Sequence, residues 1–277
     1  MTTTISTNPA DRGAREDAIR QQKNGVDLVD VHSLHKSGTM FLYKFFKQLS
    51  ERQSYQFLSA NNSPPEYYDA ASLQQQIDQV EGSSTTTVCR APIRSFELDQ
   101  FALNEREFEL ASHKRIFHLR DPRDMLVSEY YSFGWTHPTE QQKGLESRRQ
   151  EIQQMSVDEY VVTQAEVCTW PVDQKYAPLA NYEFDLEHEL VVTYEQMVTS
   201  FYKWCYAILN FLDVKHAAWL TAKLAWKYRN EFKVAGESLK HKRRIKPGDH
   251  RDKLDPKSIS ILNERFETIL KRFGYLS

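Results

Sequence analysis

The sequence predicts an α/β fold in which a central, mostly parallel sheet is flanked by helices. Short apolar, β-branched runs alternate along the chain with segments whose apolar residues recur at helical spacing, and that alternation builds parallel sheets through crossover helices. The chain has 277 residues and is 40% hydrophobic, enough to bury the core of one large domain. No internal repeat interrupts it. Sheets of this kind bind ligands beyond the carboxyl ends of their strands, so the residues at those ends are the candidates for chemistry.

Residues 1–12 are Thr-rich and polar and residues 1–24 have little apolar content, which predicts a flexible tail before a single domain spanning 25–277. Val26 to Val31 alternates apolar positions and reads as the first strand. Leu42, Phe45, Phe46 and Leu49 then fall at i, i+3, i+4 and i+7, the apolar face of a helix. Asn61-Asn62-Ser63-Pro64-Pro65 marks a loop, Leu73 to Val80 a short helix, and Thr85 to Cys89 a strand that ends at Arg90-Ala91-Pro92. Arg115 to Leu119 reads as a strand leading to a helix that Asp121 caps and Pro122 opens, with Ser128 about two turns in. The polar stretch near 134–155, with Gly144 inside it, predicts a mobile flap, and Ser156 with Glu159 has the form of a capping box. Glu189 to Glu195 reads as a buried strand. Phe201, Trp204, Ile208 and Leu212 stripe one following helix, and Trp219 to Phe232 forms the next. Asp255-Pro256 opens a last helix with apolar positions from Ile259 to Phe273, stopping at Gly274.

The net charge of −2 provides no global basic field, which argues against a nucleic-acid partner. Between Lys227 and Lys253, however, ten Lys or Arg stand against four Asp or Glu, a local excess that suits a small anion. Cys89, Cys168 and Cys205 are too widely spaced for a disulfide framework or a zinc site. No apolar run approaches a membrane span and no leader is visible, so a cytoplasmic chain without a membrane partner is expected.

The loop His35-Lys36-Ser37-Gly38-Thr39 must reverse the chain and open a helix whose first N–H groups have no partner inside it. Such a terminus attracts anions; a glycine permits close approach, two hydroxyls add donors, and Lys36 adds a full charge. The common nucleotide-triphosphatase loop puts its lysine directly after a glycine, whereas Lys36 precedes Gly38 and Gly25 lies too far upstream to complete that spacing. A tight turn with an incidental lysine stays open on these residues alone. Arg120 stands at a second strand end and Arg90 at a third. For Arg120 the plain alternative is an ion pair with Asp121 or Asp124.

Together these motifs resemble those of the soluble sulfotransferases that use 3′-phosphoadenosine-5′-phosphosulfate. That family's 5′-phosphosulfate loop reads Pro-Lys-Ser-Gly-Thr-Thr-Trp, against His35-Lys36-Ser37-Gly38-Thr39-Met40-Phe41 here. Its 3′-phosphate motif, Arg-Asn/Asp-Pro-Arg/Lys-Asp followed by a serine, is met by Arg120-Asp121-Pro122-Arg123-Asp124 with Ser128. Its closing motif, Arg-Lys/Arg-Gly-x-x-Gly-Asp-Trp, is matched in part by Arg243-Arg244-Ile245-Lys246-Pro247-Gly248-Asp249-His250.

The resemblance spans about Val26 to Tyr275 and implies a P-loop, nucleotide-kinase-like sulfotransferase fold. It implies that Lys36 contacts the bridging and sulfuryl oxygens, that Ser37, Gly38, Thr39 and Met40 hold the 5′-phosphate, and that Phe41 stacks on adenine. Arg120, Ser128, Arg243 and Arg244 would surround the 3′-phosphate, with Tyr194 and Phe232 touching adenine. No metal is implied. The acceptor would be a small molecule with a hydroxyl or nitrogen nucleophile; the chain also resembles bacterial natural-product tailoring members, those acting on saxitoxin-type alkaloids included, though no motif here writes the acceptor's identity. The family's usual dimer motif is not evident, and the oligomeric state is left open.

One departure concerns the chemistry directly. The family's Lys-Thr-His-x-Pro pattern supplies a histidine base, and the corresponding stretch here is Val88-Cys89-Arg90-Ala91-Pro92. Arginine cannot accept a proton near neutral pH. The nearest carboxylates downstream of Pro92 are Glu97 and Asp99, with His137 in the flap another candidate. Since some branches of the family use a glutamate here, the resemblance favours Glu97, whose plain alternative is a surface carboxylate paired with Arg94, and it leaves Arg90 to bind the sulfuryl oxygens or orient the carboxylate. Two rivals remain: a phosphoryl-transferring kinase on the same core, whose magnesium-binding loop pattern is missing, and a nucleotide-binding protein without catalysis.

Overall fold

The computed structural model describes residues 26–59, 87–94, 96, 110–136, 145–167, 171–232 and 247–276. Five strands, β1 (Val26–Ser33), β2 (Gln56–Ser59), β3 (Thr87–Ile93), β4 (Leu110–Leu119) and β5 (Glu189–Thr193), form one sheet in the order β2-β3-β1-β4-β5. Every neighbouring pair is parallel, the architecture that the alternating pattern predicts. The described helices are α1 (Thr39–Gln53), α2 (Pro122–Tyr131), α3 (Leu145–Gln154), α4 (Val157–Val167), α5 (Val172–Tyr176), α6 (Tyr194–Thr199), α7 (Phe201–Phe211), α8 (Ala217–Tyr228), α9 (Asp249–Lys253), α10 (Pro256–Arg265) and α11 (Glu267–Arg272).

Because strand side chains alternate between faces, the sheet feeds two cores. Val29, Val31, Cys89, Ala91, Ile116 and Val192 lie under α1, α7 and α8, where Leu42, Phe45, Phe46 and Leu49 are buried as their spacing predicts. Phe117 and Leu119 face the other way, into a core completed by α2, α4, α5, α10 and α11. The caps are also the expected ones: Asp121 accepts from Arg123 N at 2.9 Å, Ser156 Oγ from Glu159 N at 3.1 Å, and Asp255 Oδ1 from Ser258 N at 2.6 Å.

Three boundaries differ from expectation. β3 does not stop at Arg90 but runs through Pro92 to Ile93; β2 pairs with it only as far as Ala91, so the proline costs that ladder no hydrogen bond. The strand expected over 189–195 turns into α6 at Tyr194, because Thr193 and Gln196 form a reciprocal capping box. The C-terminal helix breaks at Phe266 into α10 and α11. The loop at 61–65, the helix at 73–80 and the tail at 1–24 lie outside the described residues. No helix among the described residues is long and apolar enough to cross a membrane.

Candidate active site

The loop from β1 to α1 sits at the carboxyl end of the central strand. Lys36 (φ 67°) and Gly38 (φ 80°) both take left-handed backbone, which folds the chain tightly from strand into helix. Gly38 is also closed in: a Cβ there would lie 3.0 Å from Met197 Cε and 3.4 Å from Tyr194 Cδ2. It is the N-cap of α1, with no side-chain cap and no acidic residue in the first turn. The positive end of the helix dipole is therefore left for an anion.

Lys36 is held by its neighbours. Its Nζ donates to Ser132 Oγ and lies 5.7 Å from the centre of the Phe133 ring, while its carbonyl accepts from Arg120 Nη1. Burial pushes its pKa down to about 8; the Glu129 carboxylate opposes that shift, and the like charges of Arg120 and Arg94 add to it.

Arg120 follows the last residue of β4 and is only 5% exposed. Its guanidinium lies 4.3 Å above the Tyr194 ring, and its buried Nε has no hydrogen-bond partner among the described residues. Buried donors are rarely left unpaired, and this one, beside the start of α1, is a donor that an anion could take. Ser128 is half-buried on α2, one turn beyond Asp124. The Asp124 carboxylate accepts Gly248 N at 2.6 Å, His250 N at 2.9 Å and His250 Nδ1 at 2.6 Å. Although burial opposes its charge, His250 and Arg120 hold it below the usual carboxylate range. Asp124 thus pins the end of the third motif to the helix of the second. Arg243 and Arg244, just upstream of that anchor, lie outside the described residues, as do Glu97, Asp99 and His137.

Phe41 and Phe232 meet at 4.9 Å between ring centres and 65° between planes, beside Tyr228 at 5.1 Å. The structure brings this pair together edge to face, which leaves no slot for a purine between them. Tyr194 packs against Arg120 and the Gly38 loop.

Two residues are placed otherwise than expected. Arg90 is 2% exposed; its Nε donates to Asp30 Oδ1 at 2.6 Å and its Nη2 to Asp30 Oδ2, while His113 Nε2 lies 2.9 Å from the same carboxylate. The cause is register, since Asp30 and Arg90 are partners on adjacent parallel strands and so share a face. Arg90 lies three residues before the end of β3, about 10 Å short of the edge, and is not free to hold a sulfuryl group. From β3 it is Arg94, just past the strand's end, whose charge reaches Lys36. Ser37 is fully buried, turns its hydroxyl to Met125 Sδ at 3.6 Å and donates its N–H to Leu34 O at 3.2 Å, so the N–H groups that follow it at the start of α1 are the ones able to meet a phosphate.

Sequence reasoning missed Ser132, Glu129 and Arg94. Ser132 lies four residues beyond Ser128, a helical repeat that could have found it. Glu129 carried no such signal, yet it is 2% exposed; burial raises its pKa while Lys175, Lys36 and Arg148 draw it back. The turn that holds Ser132 and Phe133 continues from α2 as a π-helical stretch, Ser132–Thr136. Within the segment expected as a flap, α3 fastens this turn: Arg149 Nε donates to Phe133 O at 3.2 Å and Gln153 Nε2 to Gly134 O at 2.7 Å, with Ile152 fully buried. Among the described residues, no group of His, Cys, Asp or Glu could hold a metal ion.

Residues 28–274 match the family model described as the sulfotransferase domain. Among solved structures, the fold is similar to that of the mouse sulfotransferase SULT7A1 complexed with PAP, with a TM-score of 0.56 and 15% identity over 89% of this chain and 85% of that one. It is also similar to retinol dehydratase in complex with androsterone and the inactive cofactor PAP, with a TM-score of 0.52 and 16% identity over 88% of this chain and 80% of that one. No curated protein matches the sequence.

Proposed function

The chain belongs to the sulfotransferase domain family, and we propose that it transfers a sulfuryl group from 3′-phosphoadenosine-5′-phosphosulfate to a hydroxyl or nitrogen of a small-molecule acceptor. The observation that carries this reading is the convergence of Lys36, the uncapped start of α1 and the orphan Nε of Arg120 at the carboxyl ends of β1 and β4. Cations drawn together from separate motifs suit a nucleotide carrying several phosphate charges, and PAP is what both structurally similar proteins hold.

The donor supplies a sulfuryl group, whose bond to the 5′-phosphate oxygen breaks as a bond to the acceptor forms. The backbone of residues 38–40 receives the 5′-phosphate, and the Lys36 ammonium faces the oxygen on which negative charge develops, so its contact strengthens in the transition state. Arg120 and Ser128, joined on the family resemblance by Arg243 and Arg244, receive the 3′-phosphate in fork geometry. On the family resemblance Tyr194 borders the adenine, and Phe41 and Phe232, which close edge to face and admit no purine between them, bound its site from one side only. Lysine and N–H donors provide the charge stabilisation, and the reading calls for no metal. Glu97 takes the acceptor proton, with His137 as the alternative. The acceptor in this reading is a secondary metabolite, which the resemblance to bacterial small-molecule members supports; buried free thiols at Cys89 and Cys205 suit a cytoplasmic setting.

Incubation of the protein with sulfur-labelled donor and a mixture of alcohols, phenols and amines tests this. Label should move to an acceptor, and Glu97→Gln should cut turnover by about 10²-fold or more, with His137→Ala close to wild type. One observation favours a rival: the family's base position is filled by Arg90, locked to Asp30, which suits a nucleotide-binding protein without catalysis. Tight PAP binding with no label transfer to any acceptor would establish that rival.

A further inference from the structure

The outer face of α7 and α8 takes no part in sulfuryl transfer. Of the seven large hydrophobic side chains exposed among the described residues, four lie here: Tyr202 and Tyr206 on α7, and Trp219 and Trp226 on α8, the last two 64% and 69% exposed. Each helix buries its other side, through Trp204, Ile208 and Leu209 or through Leu220 and Leu224. Trp219, Lys223 and Trp226 fall at i, i+4 and i+7, so both indoles share one stripe. Large apolar side chains left exposed on two neighbouring helices suit an interaction site.

The stripe is strongly cationic. Lys223 Nζ lies 5.1 Å from the centre of the Trp219 ring and Arg229 Cζ 4.3 Å from that of Trp226. Between 201 and 231 five cations, Lys203, Lys215, Lys223, Lys227 and Arg229, stand against two carboxylates, Asp213 and Glu231, and Lys114 already bonds Asp213 at 2.6 Å. Charge decides between partners. A second copy meeting this face across a two-fold axis would set its lysines against themselves. An acidic bilayer surface has the opposite sign, and tryptophan and tyrosine favour the headgroup zone, where one end of the ring is apolar and the other wet.

We propose that the outer face of α7 and α8 docks on an anionic lipid bilayer, with Trp219 and Trp226 entering the headgroup layer and the surrounding lysines lying over acidic headgroups. The 12 residues of α8 are too few to span; the helix lies in the membrane plane, as amphipathic basic helices do. The expectation of no membrane partner rested on the lack of a spanning run, and a surface-lying helix needs none.

Vesicle flotation of the full chain tests the proposal. The protein should float with phosphatidylcholine vesicles containing phosphatidylserine, stay down with phosphatidylcholine alone, and be released by high salt. Trp219→Ser with Trp226→Ser should lower the bound fraction by about tenfold, and Lys223→Glu with Arg229→Glu should do the same, each variant keeping the wild-type far-ultraviolet circular dichroism. Absence of flotation with the acidic vesicles, or unchanged flotation of both double variants, overturns the proposal. So does a dimer in sedimentation velocity that the tryptophan substitutions abolish, which would give the face to a second copy.

Discussion

At Lys36, burial and the charges of Arg120 and Arg94 favour the neutral amine, while Glu129 favours the ammonium. With the balance at about 8, the charged form that the proposed transfer uses disappears as pH rises through that value, and kcat/KM, which reports free-enzyme groups, should show its alkaline limb there. Glu129→Gln should move the limb to lower pH, and Lys36→Arg should remove it from the accessible range, since arginine stays charged. Profiles of the three proteins across neutral and alkaline pH check this; three coincident limbs would take Lys36 out of the titration. Lys36 and Arg120 were legible because their motifs are local in sequence. Glu129 was not, since a carboxylate in a helix reads as solvated and its burial is set by distant groups such as Lys175 and Arg148. Arg90 misled for the same reason: its partner Asp30 is 60 residues away.

At the scale of elements, the turn into α1 depends on Gly38, where both the left-handed φ and the nearby Met197 and Tyr194 exclude a side chain. Gly38→Ala should cost about 1–2 kcal/mol from backbone strain and displace Tyr194, on which Arg120 stacks. Denaturant unfolding read beside PAP affinity should show both losses, and a variant with wild-type values in each would contradict the role given to this turn. Strand and helix periods made β1, α1, the end of β4 and the start of α2 readable in advance. Pro92 hid the end of β3, because a proline in a strand normally marks a boundary and only the sheet order shows β2 stopping at Ala91. The fastening of the Ser132–Thr136 turn by α3 was equally hidden, since polar residues such as Arg149 and Gln153 become anchors only once their carbonyl partners are brought near.

For the whole molecule, pH stability should carry the mark of His118, which is fully buried on β4 against Trp204. Burial pushes its pKa from 6.5 down to about 3, so the folded chain keeps it neutral where the unfolded chain takes up a proton. Stability is therefore intact above about pH 6.5 and falls as pH drops toward 3, by up to about 1.4 kcal/mol per unit. His118→Leu should flatten that slope in denaturant unfolding series, and a slope parallel to wild type would assign it to other groups. The central claim is that motifs far apart in the chain close one metal-independent site around a nucleotide with a 3′-phosphate. Calorimetric titration of PAP and of adenosine 5′-phosphate into wild type and Arg120→Ala, with a chelator present, tests it most directly. Removing a buried charge-assisted contact worth roughly 1.5–3 kcal/mol should weaken PAP by about ten- to a hundredfold, with adenosine 5′-phosphate nearly unaffected; equal losses for both ligands, or no binding of PAP to wild type, would contradict it.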